Sequence, residues 1–319
     1  MDHLNSSSLN GFTSRELDRL AQRRSDEVWL AKQLTSPHSR FLPLWKTDSL
    51  FGPDGAPIPI MLSADEISPY LPHAESVILL GEAKGVTFFA VDLSGEEQSP
   101  PDGISILGRF RNLRKLAPLL NNEDGTLLAY ARAMIYWHTT HRFCGMCGSP
   151  TVVRDAGFVR ACSNQACGTL HFPRTDPAVI VLVNDGNRCI LGRKADWPAG
   201  TYSTLAGFVE PGESLEAAIV REVAEEVGID VYSAVYQSSQ PWPFPRSLML
   251  GFLAQTTGDD IRVNDELEYA RWYSRDEIAR GLIEVRLRLP DGLTIAHHLI
   301  ESWFDEGDLG PLSDFERSG

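Results

Sequence analysis

The chain has 319 residues with 29 basic and 43 acidic side chains, a formal net charge of −14, and 43% hydrophobic against 23% charged residues. That balance supplies a packed core and excludes a fully disordered chain, and at about 100–200 residues per domain the length fits two or three domains. It also disfavours a broadly basic nucleic-acid binder, whereas a polyphosphate substrate stays open if divalent cations stand between the two sets of negative charge.

Met1–Arg24 is rich in Ser and Asn, carries Asp2, Glu16 and Asp18, and lacks the apolar run of a secretion signal. It reads as a loose arm on a cytoplasmic chain. Pro- and Gly-rich stretches at Phe51–Pro59 and Ser94–Gly103 interrupt short strand signals, and Ser76–Leu80 and Val86–Leu93, flanking Gly81–Gly85, predict a hairpin. Leu127, Leu128, Ala131, Ile135 and His138 recur at helical spacing and predict a helix over Asp124–His141. Arg142–Phe172 contains four of the five cysteines. From Pro173 strand and helix signals alternate: strand Ala178–Val183, turn Asn184–Asn187, strand Cys189–Gly192, helix Leu215–Val227, strand Leu248–Ala254, and helices near Asp276–Gly281 and Thr294–Phe304. Three regions follow, 1–141, 142–172 and 173–319. No run approaches the ~20 apolar residues of a membrane helix, so no membrane partner is expected.

The clustered cysteines are spaced Cys144-x2-Cys147-x14-Cys162-x4-Cys167, with Gly145, Gly148 and Gly168 beside them. Two tight turns of this kind bring four thiolates into a tetrahedron around one Zn²⁺, although a last gap of four is looser than the tightest ribbon spacing. Disulfides or unrelated buried thiols are the alternatives, and the lack of a secretion signal disfavours disulfides. Four filled positions leave no place for water, which makes such a zinc structural. Arg142, Arg154 and Arg160 form only a thin basic set for nucleic acid. Cys189, alone in an apolar stretch, reads as a small buried hydrophobe.

The densest chemistry runs from Gly207 to Ile229. Ser214 suits an N-cap and Gly228 a C-terminal stop. At 100° per residue, Glu222, Glu225 and Glu226 share an arc of about 100° with Leu215, Ala218 and Ile219, so they should point towards the protein body while Arg221 lies furthest from that stripe. Like charges at these spacings cost a few tenths of a kcal/mol even in water, and more when desolvated. Hard cations such as Mg²⁺ or Mn²⁺ would offset that cost; the plain alternative is a charged, solvated helix.

The segment matches G-x5-E-x7-R-E-U-x-E-E-x-G-U, with U a bulky aliphatic residue, at every defined position, and so resembles the Nudix box. The resemblance implies an α/β class, with an α/β/α sandwich that hydrolyses nucleoside diphosphates linked to another moiety. It implies that Glu222, Glu225 and Glu226 are the catalytic ligands of the divalent cations, that the Ala206 carbonyl joins them, and that Glu213 and Arg221 brace the loop against the helix. Further on, Ser239-Gln240-Pro241-Trp242-Pro243-Phe244-Pro245-Arg246-Ser247 resembles the SQPWPFPxS motif of the NADH pyrophosphatase subfamily. That likeness implies a mixed α+β N-terminal domain, a zinc ribbon and a C-terminal Nudix domain, assembled as a homodimer. It assigns Gln240, Pro241, Trp242, Pro243, Phe244, Pro245, Arg246 and Ser247 to the substrate, together with Phe172, Ala296 and Arg114. Phe172 stands where the family has Tyr, and so lacks a hydroxyl. Glu266, in Glu266–Trp272, matches a further metal ligand.

The activity so implied is hydrolysis of NADH or NAD⁺ to nicotinamide mononucleotide and AMP, with removal of NAD caps from RNA as an extension. Two rivals are a Nudix hydrolase for another ADP-containing molecule such as ADP-ribose, and a non-catalytic nucleotide-binding regulator. The Ser239–Ser247 motif speaks against the first and the unbroken glutamates against the second.

Overall fold

The computed structural model describes residues 3–14, 16–53, 57–95 and 99–316, with side chains from Ser6. Asp2 and parts of the two Pro- and Gly-rich stretches lie outside these residues. The chain forms two compact units, one of residues 14–175 with 242–246, the other of 1–13, 176–241 and 247–319.

The first unit is built on strands β1 (Ser39–Trp45), β2 (Asp48–Phe51), β3 (Ser76–Ala83), β4 (Val86–Asp92) and β5 (Arg109–Arg111), in the order β3-β4-β1-β2-β5. The predicted hairpin is the antiparallel pair β3–β4, and β4 runs parallel to β1. Its core gathers Phe41, Leu50, Ile67, Leu79, Phe89 and Ile104, with Phe41 and Phe89 stacked 5.2 Å apart. The long helix spans Asn122–Thr140, started by Asn121, whose side chain accepts from the Asp124 N–H. It buries Leu127, Leu128, Ala131, Ile135 and His138, the residues whose spacing predicts it. A three-stranded ribbon follows: β6 (Thr151–Arg154), β7 (Val159–Cys162) and β8 (Leu170–His171).

The second unit is a six-stranded sheet of β9 (Asp176–Asn184), β10 (Arg188–Arg193), β11 (Leu205–Phe208), β12 (Val231–Trp242), β13 (Ser247–Thr256) and β14 (Tyr269–Ser274). β12, β13, β9, β10 and β14 lie side by side, and β11 pairs antiparallel with β9. β9 is buried on both faces, which explains its continuous apolar run. Val179, Val181 and Val183 meet Ala218, Ile219, Val223 and Val227 of helix Leu215–Val227. Ile180 and Leu182 belong to the opposite cluster, with Ile278 of helix Arg275–Ile283 and Leu299, Ile300, Trp303 and Phe304 of helix Ile295–Asp305. The result is an α/β/α sandwich. Cys189 is fully buried in the second cluster, which pushes its thiol pKa up. No described helix is long and apolar enough to cross a membrane.

One expectation is corrected. In its described residues the segment read as a loose arm is ordered: His3–Leu9 is helical, and Asn10 and Phe12 are buried. Asn10 Nδ2 donates to Ser238 Oγ (3.1 Å) and to the Ser239 carbonyl (3.0 Å), and Gly11 N–H donates to the Leu293 carbonyl (2.8 Å). In the other unit, Asp18 and Glu82 exchange two backbone hydrogen bonds, and Leu20 joins the core. Such docking runs mostly on backbone groups, the Asn10 amide and two isolated apolar side chains, Phe12 and Leu20, so it leaves no hydrophobic period to read.

Candidate active site and zinc centre

Helix Leu215–Val227 begins as its sequence dictates. Ser214 Oγ accepts from the Ala217 N–H (3.2 Å), and Gly228 ends the helix at φ 68°, a left-handed position that favours glycine. Arg221 folds back over the preceding loop. It donates from Nε and Nη2 to the two carboxylate oxygens of Glu213 (2.7 and 2.9 Å), from Nη2 to the Phe208 carbonyl (2.9 Å), and from Nη1 to Glu222 (2.9 Å) and Glu225 (3.0 Å). With the Glu210 N–H also donating to it, Glu213 is held down to about 2, chiefly by Arg221. This bidentate fork ties loop to helix.

The three acids of the arc do not share one environment. Glu226 is 2% exposed, and its Oε2 has no hydrogen-bond partner. Burial first, then the charges of Glu266 and Glu222, push its pKa up to about 8. The Glu222 side chain is 12% exposed, and a Cβ on Gly207 would collide with its carboxylate. Glycine is needed there for close approach, not for turn geometry. Glu225 corrects the helix arithmetic: its side chain is 56% exposed on the outer edge, paired with Arg221. Arg221, angularly furthest from the apolar stripe, is long enough to return and pair with all three of Glu213, Glu222 and Glu225.

A cavity of about 360 Å³ opens beside this helix, lined by Ala206, Gly207, Glu222, Ser247, Glu266 and Lys194 among others. Ala206 sits on β11 opposite Ile180 of β9. Lys194 Nζ donates to Glu266 Oε1 at 2.5 Å. No sequence motif singles out Lys194; its signal is only spatial, a cation one residue past β10 in a cavity of carboxylates. Two covered carboxylates, the exposed Glu266 whose charge bears on Glu226, and an orphaned carboxylate oxygen fit a hard divalent cation held by Glu222, Glu226 and Glu266.

The proline-rich motif is divided in its contacts. The Gln240 side chain is 1% exposed and its amide is bonded within the protein: Nε2 donates to the Gly11 (3.2 Å) and Leu293 (2.8 Å) carbonyls, and Oε1 accepts from the Ile295 N–H (2.9 Å). Ala296 follows, 5% exposed. Ser247 is buried at the start of β13, and Pro241 is exposed. The remaining members belong to the other unit, with Arg114 and Phe172. There Trp242 and Phe244 meet edge to face, 5.1 Å between centroids. Arg132 holds the turn, donating from Nε to the Pro243 carbonyl (3.0 Å) and from Nη1 to the Thr47 carbonyl (2.8 Å), with its guanidinium carbon 5.3 Å from the Phe244 centroid. Arg114 stands 5.8 Å from the Trp242 centroid, and Phe172 is 59% exposed. Pro245 is exposed, Pro243 buried and Arg246 half-buried.

In the ribbon, the sulfurs of Cys144, Cys147, Cys162 and Cys167 lie within 4.8 Å of one another. Cys144 and Cys167 are 3.8 Å apart, Cys147 and Cys162 3.4 Å. The x4 gap closes because Cys167 and Gly168 both donate backbone N–H groups to the Asn164 carbonyl (2.9 and 3.0 Å), with Gly168 at φ 60°. The Cys144 thiol is drawn down to about 6, first by the Met146 N–H, while desolvation leads in pushing Cys162 up to about 12. Four crowded sulfurs with one already favouring thiolate fit a closed Zn²⁺ site.

Comparisons with known proteins agree with this architecture. Residues 173–290 match the family model of the NUDIX domain, 139–172 the NADH pyrophosphatase zinc ribbon domain, and 38–137 the NADH pyrophosphatase-like rudimentary NUDIX domain. The chain is 32% identical to human NAD-capped RNA hydrolase NUDT12 over 92% of this chain and 73% of that protein. It is 38% identical to human NAD(P)H pyrophosphatase NUDT13, mitochondrial (75% and 74% covered), and 40% identical to NAD-capped RNA hydrolase NudC of Mycobacterium bovis (73% and 76%). The chain therefore belongs to the Nudix hydrolases, in the branch that carries the NADH pyrophosphatase zinc ribbon.

Proposed function

We propose that the chain hydrolyses the pyrophosphate of NADH and NAD⁺ to nicotinamide mononucleotide and AMP, and removes NAD caps from RNA by breaking the same bond. The observation that carries this reading is the cavity lined by Glu222 and Glu266, beside the buried Glu226, whose Oε2 has no partner. The names of the relatives supply the substrate class.

Glu222, Glu225, Glu226 and Glu266, with the Ala206 carbonyl, would hold Mg²⁺ or Mn²⁺. Bound there, the cations neutralise the phosphate oxygens and make an attacking water more acidic. A glutamate on the same helix face takes that water's proton. Glu213 and Arg221 hold the loop in register with the helix. Gln240 fixes its strand end beside the backbone of Ile295 and Ala296, and spends its side-chain amide in doing so. Trp242 and Phe244 offer π faces for adenine or nicotinamide, with Arg114, Phe172, Pro241, Pro243, Pro245, Arg246 and Ser247 completing the substrate contacts. The four cysteines hold one structural zinc. The division into 1–141, 142–172 and 173–319, the homodimer and the cytoplasmic setting belong to the same proposal.

The test is a product assay with NADH, NAD⁺, NAD-capped RNA and ADP-ribose side by side under Mg²⁺ and Mn²⁺. Mononucleotide and AMP from NADH with the higher kcat/KM support the reading. A preference for ADP-ribose overturns the NADH assignment.

A further inference from the structure

The aromatic turn Trp242–Phe244 is anchored on a strained hairpin of the first unit. β1 and β2 are antiparallel with Trp45 paired to Asp48, so Lys46 and Thr47 form a two-residue loop. Both have positive φ, 48° and 68°. Loops of this kind favour Asn-Gly, and a Cβ is strained there, a β-branched Thr most of all. Such a backbone persists where its surroundings over-determine it. Here Lys46 N–H donates to Ser94 Oγ (2.8 Å), Lys46 Nζ stands 4.2 Å from the Trp45 ring centroid, and the Thr47 carbonyl accepts from Arg132 Nη1 (2.8 Å).

Arg132 spans from that fixed carbonyl to the aromatic turn. It projects from the helix Asn122–Thr140, is half-buried, and makes no ion pair among the described residues. Its Nε donates to the Pro243 carbonyl (3.0 Å), and its guanidinium carbon lies 5.3 Å from the Phe244 centroid, within cation–π reach. Phe244 N–H donates to the Trp242 carbonyl (2.8 Å), and the two rings meet edge to face. The planar guanidinium has fixed donor directions, so it sets Pro243 and Phe244 relative to Thr47, and Trp242 through Phe244. Withdrawing a cation from water to serve two neutral carbonyls is costly, and the return is a turn with one geometry.

We infer that Arg132, anchored on the Lys46–Thr47 loop, is a positioning residue for substrate binding: it holds the Trp242–Phe244 pair ready for a planar ring. This rests on the reading above that these aromatics stack on a base of the dinucleotide. A turn ordered in advance loses less freedom on binding, so Arg132 acts on affinity and leaves the chemical step alone.

The test measures KM and kcat for NADH at saturating Mg²⁺, with Tm, in wild type, Arg132→Gln, Arg132→Lys, Trp242→Ala and the double variant Arg132→Gln/Trp242→Ala. Arg132→Gln should raise KM about fivefold or more, within the range of one lost base–aromatic stack, with kcat little changed. Arg132→Lys, which keeps the charge but not the fork, should fall between it and wild type. If Arg132 works through the turn, the double variant should have a KM no higher than Trp242→Ala alone. A lowered Tm with wild-type KM in Arg132→Gln, or KM increases that multiply in the double variant, overturns the inference. An unchanged KM in Trp242→Ala removes the stacking assignment, and the inference with it, whereas wild type that leaves NADH intact refutes the proposed function itself.

Discussion

Replacing Glu226 by Gln should separate stability from catalysis. Without divalent cation the Glu226 carboxyl is raised from 4.5 to about 8, led by burial. Each pKa unit is worth about 1.4 kcal/mol, so at pH 7 the folded state gives up about 3 kcal/mol by keeping a proton that the unfolded chain has released. The sign follows from the raised acid: its contribution is fully present below pH 4.5 and lost as pH rises through 8. Gln cannot ionise, so Mg²⁺-free Glu226→Gln should melt several degrees above wild type at pH 7, less any cost of an unpaired amide, and the gap should close near pH 4.5. Adding millimolar Mg²⁺ should stabilise wild type more than the variant, while turnover of NADH falls by about 10²–10⁴ or more. The assay is thermal unfolding at pH 4.5, 7 and 8, with and without Mg²⁺, paired with rates at saturating metal. A variant that melts below wild type at pH 7 without Mg²⁺, or turns over at near-normal rate, would refute the reasoning.

Cys144→Ser should lower zinc content and Tm together; a variant that keeps its Tm but loses turnover would mean a catalytic zinc. Trp242→Ala should raise the KM for NADH by about 5- to 150-fold, the range of one lost base–aromatic stack, with the metal requirement unchanged. An equal loss for ADP-ribose would place that stack on adenine instead of nicotinamide. His138 is 3% exposed, with Nε2 on the Gly157 carbonyl (2.8 Å) and Nδ1 facing Arg160 (2.9 Å). Burial, opposed by the Gly157 bond and reinforced by Arg160, holds its pKa down to about 4, so the stability it allows above pH 6.5 should be lost as pH falls towards 4. That loss amounts to about 3 kcal/mol. Denaturant melts of wild type and His138→Asn across this window should converge on acidification; parallel curves would remove His138 as the cause.

What the sequence made legible was what repeats or caps. Helix Leu215–Val227 was readable to both ends because Ser214 and Gly228 bracket a period of buried aliphatics. The hairpin was readable from its apolar runs and glycines, and the ribbon from cysteine spacing. Strand β12 was not, because Tyr232, Ser233, Gln237, Ser238 and Ser239 break both periods, and several of its buried residues are polar. The metal-facing arc was legible as an arc, but which acid loses water depends on neighbours: Glu226 is covered and Glu225 is not. Lys194, Arg132 and the Gln240 amide act through partners distant in sequence, and nothing in their flanking residues announces that. The rudimentary NUDIX character of residues 38–137 was likewise hidden in an unremarkable α+β pattern.

The docked segment at the start of the sequence bears on how the hydrolase unit comes together. Asn10 bonds to residues 228 and 229 positions away, and Gly11 to Leu293, so these links close some of the longest loops in the chain. Loop-closure entropy makes such contacts costly before the rest is in place. The segment should therefore behave as a late-joining latch, settling onto a sheet already formed from residues 176–319. Amide hydrogen exchange would show it opening at lower free energy than β9, although it shares that strand's unit.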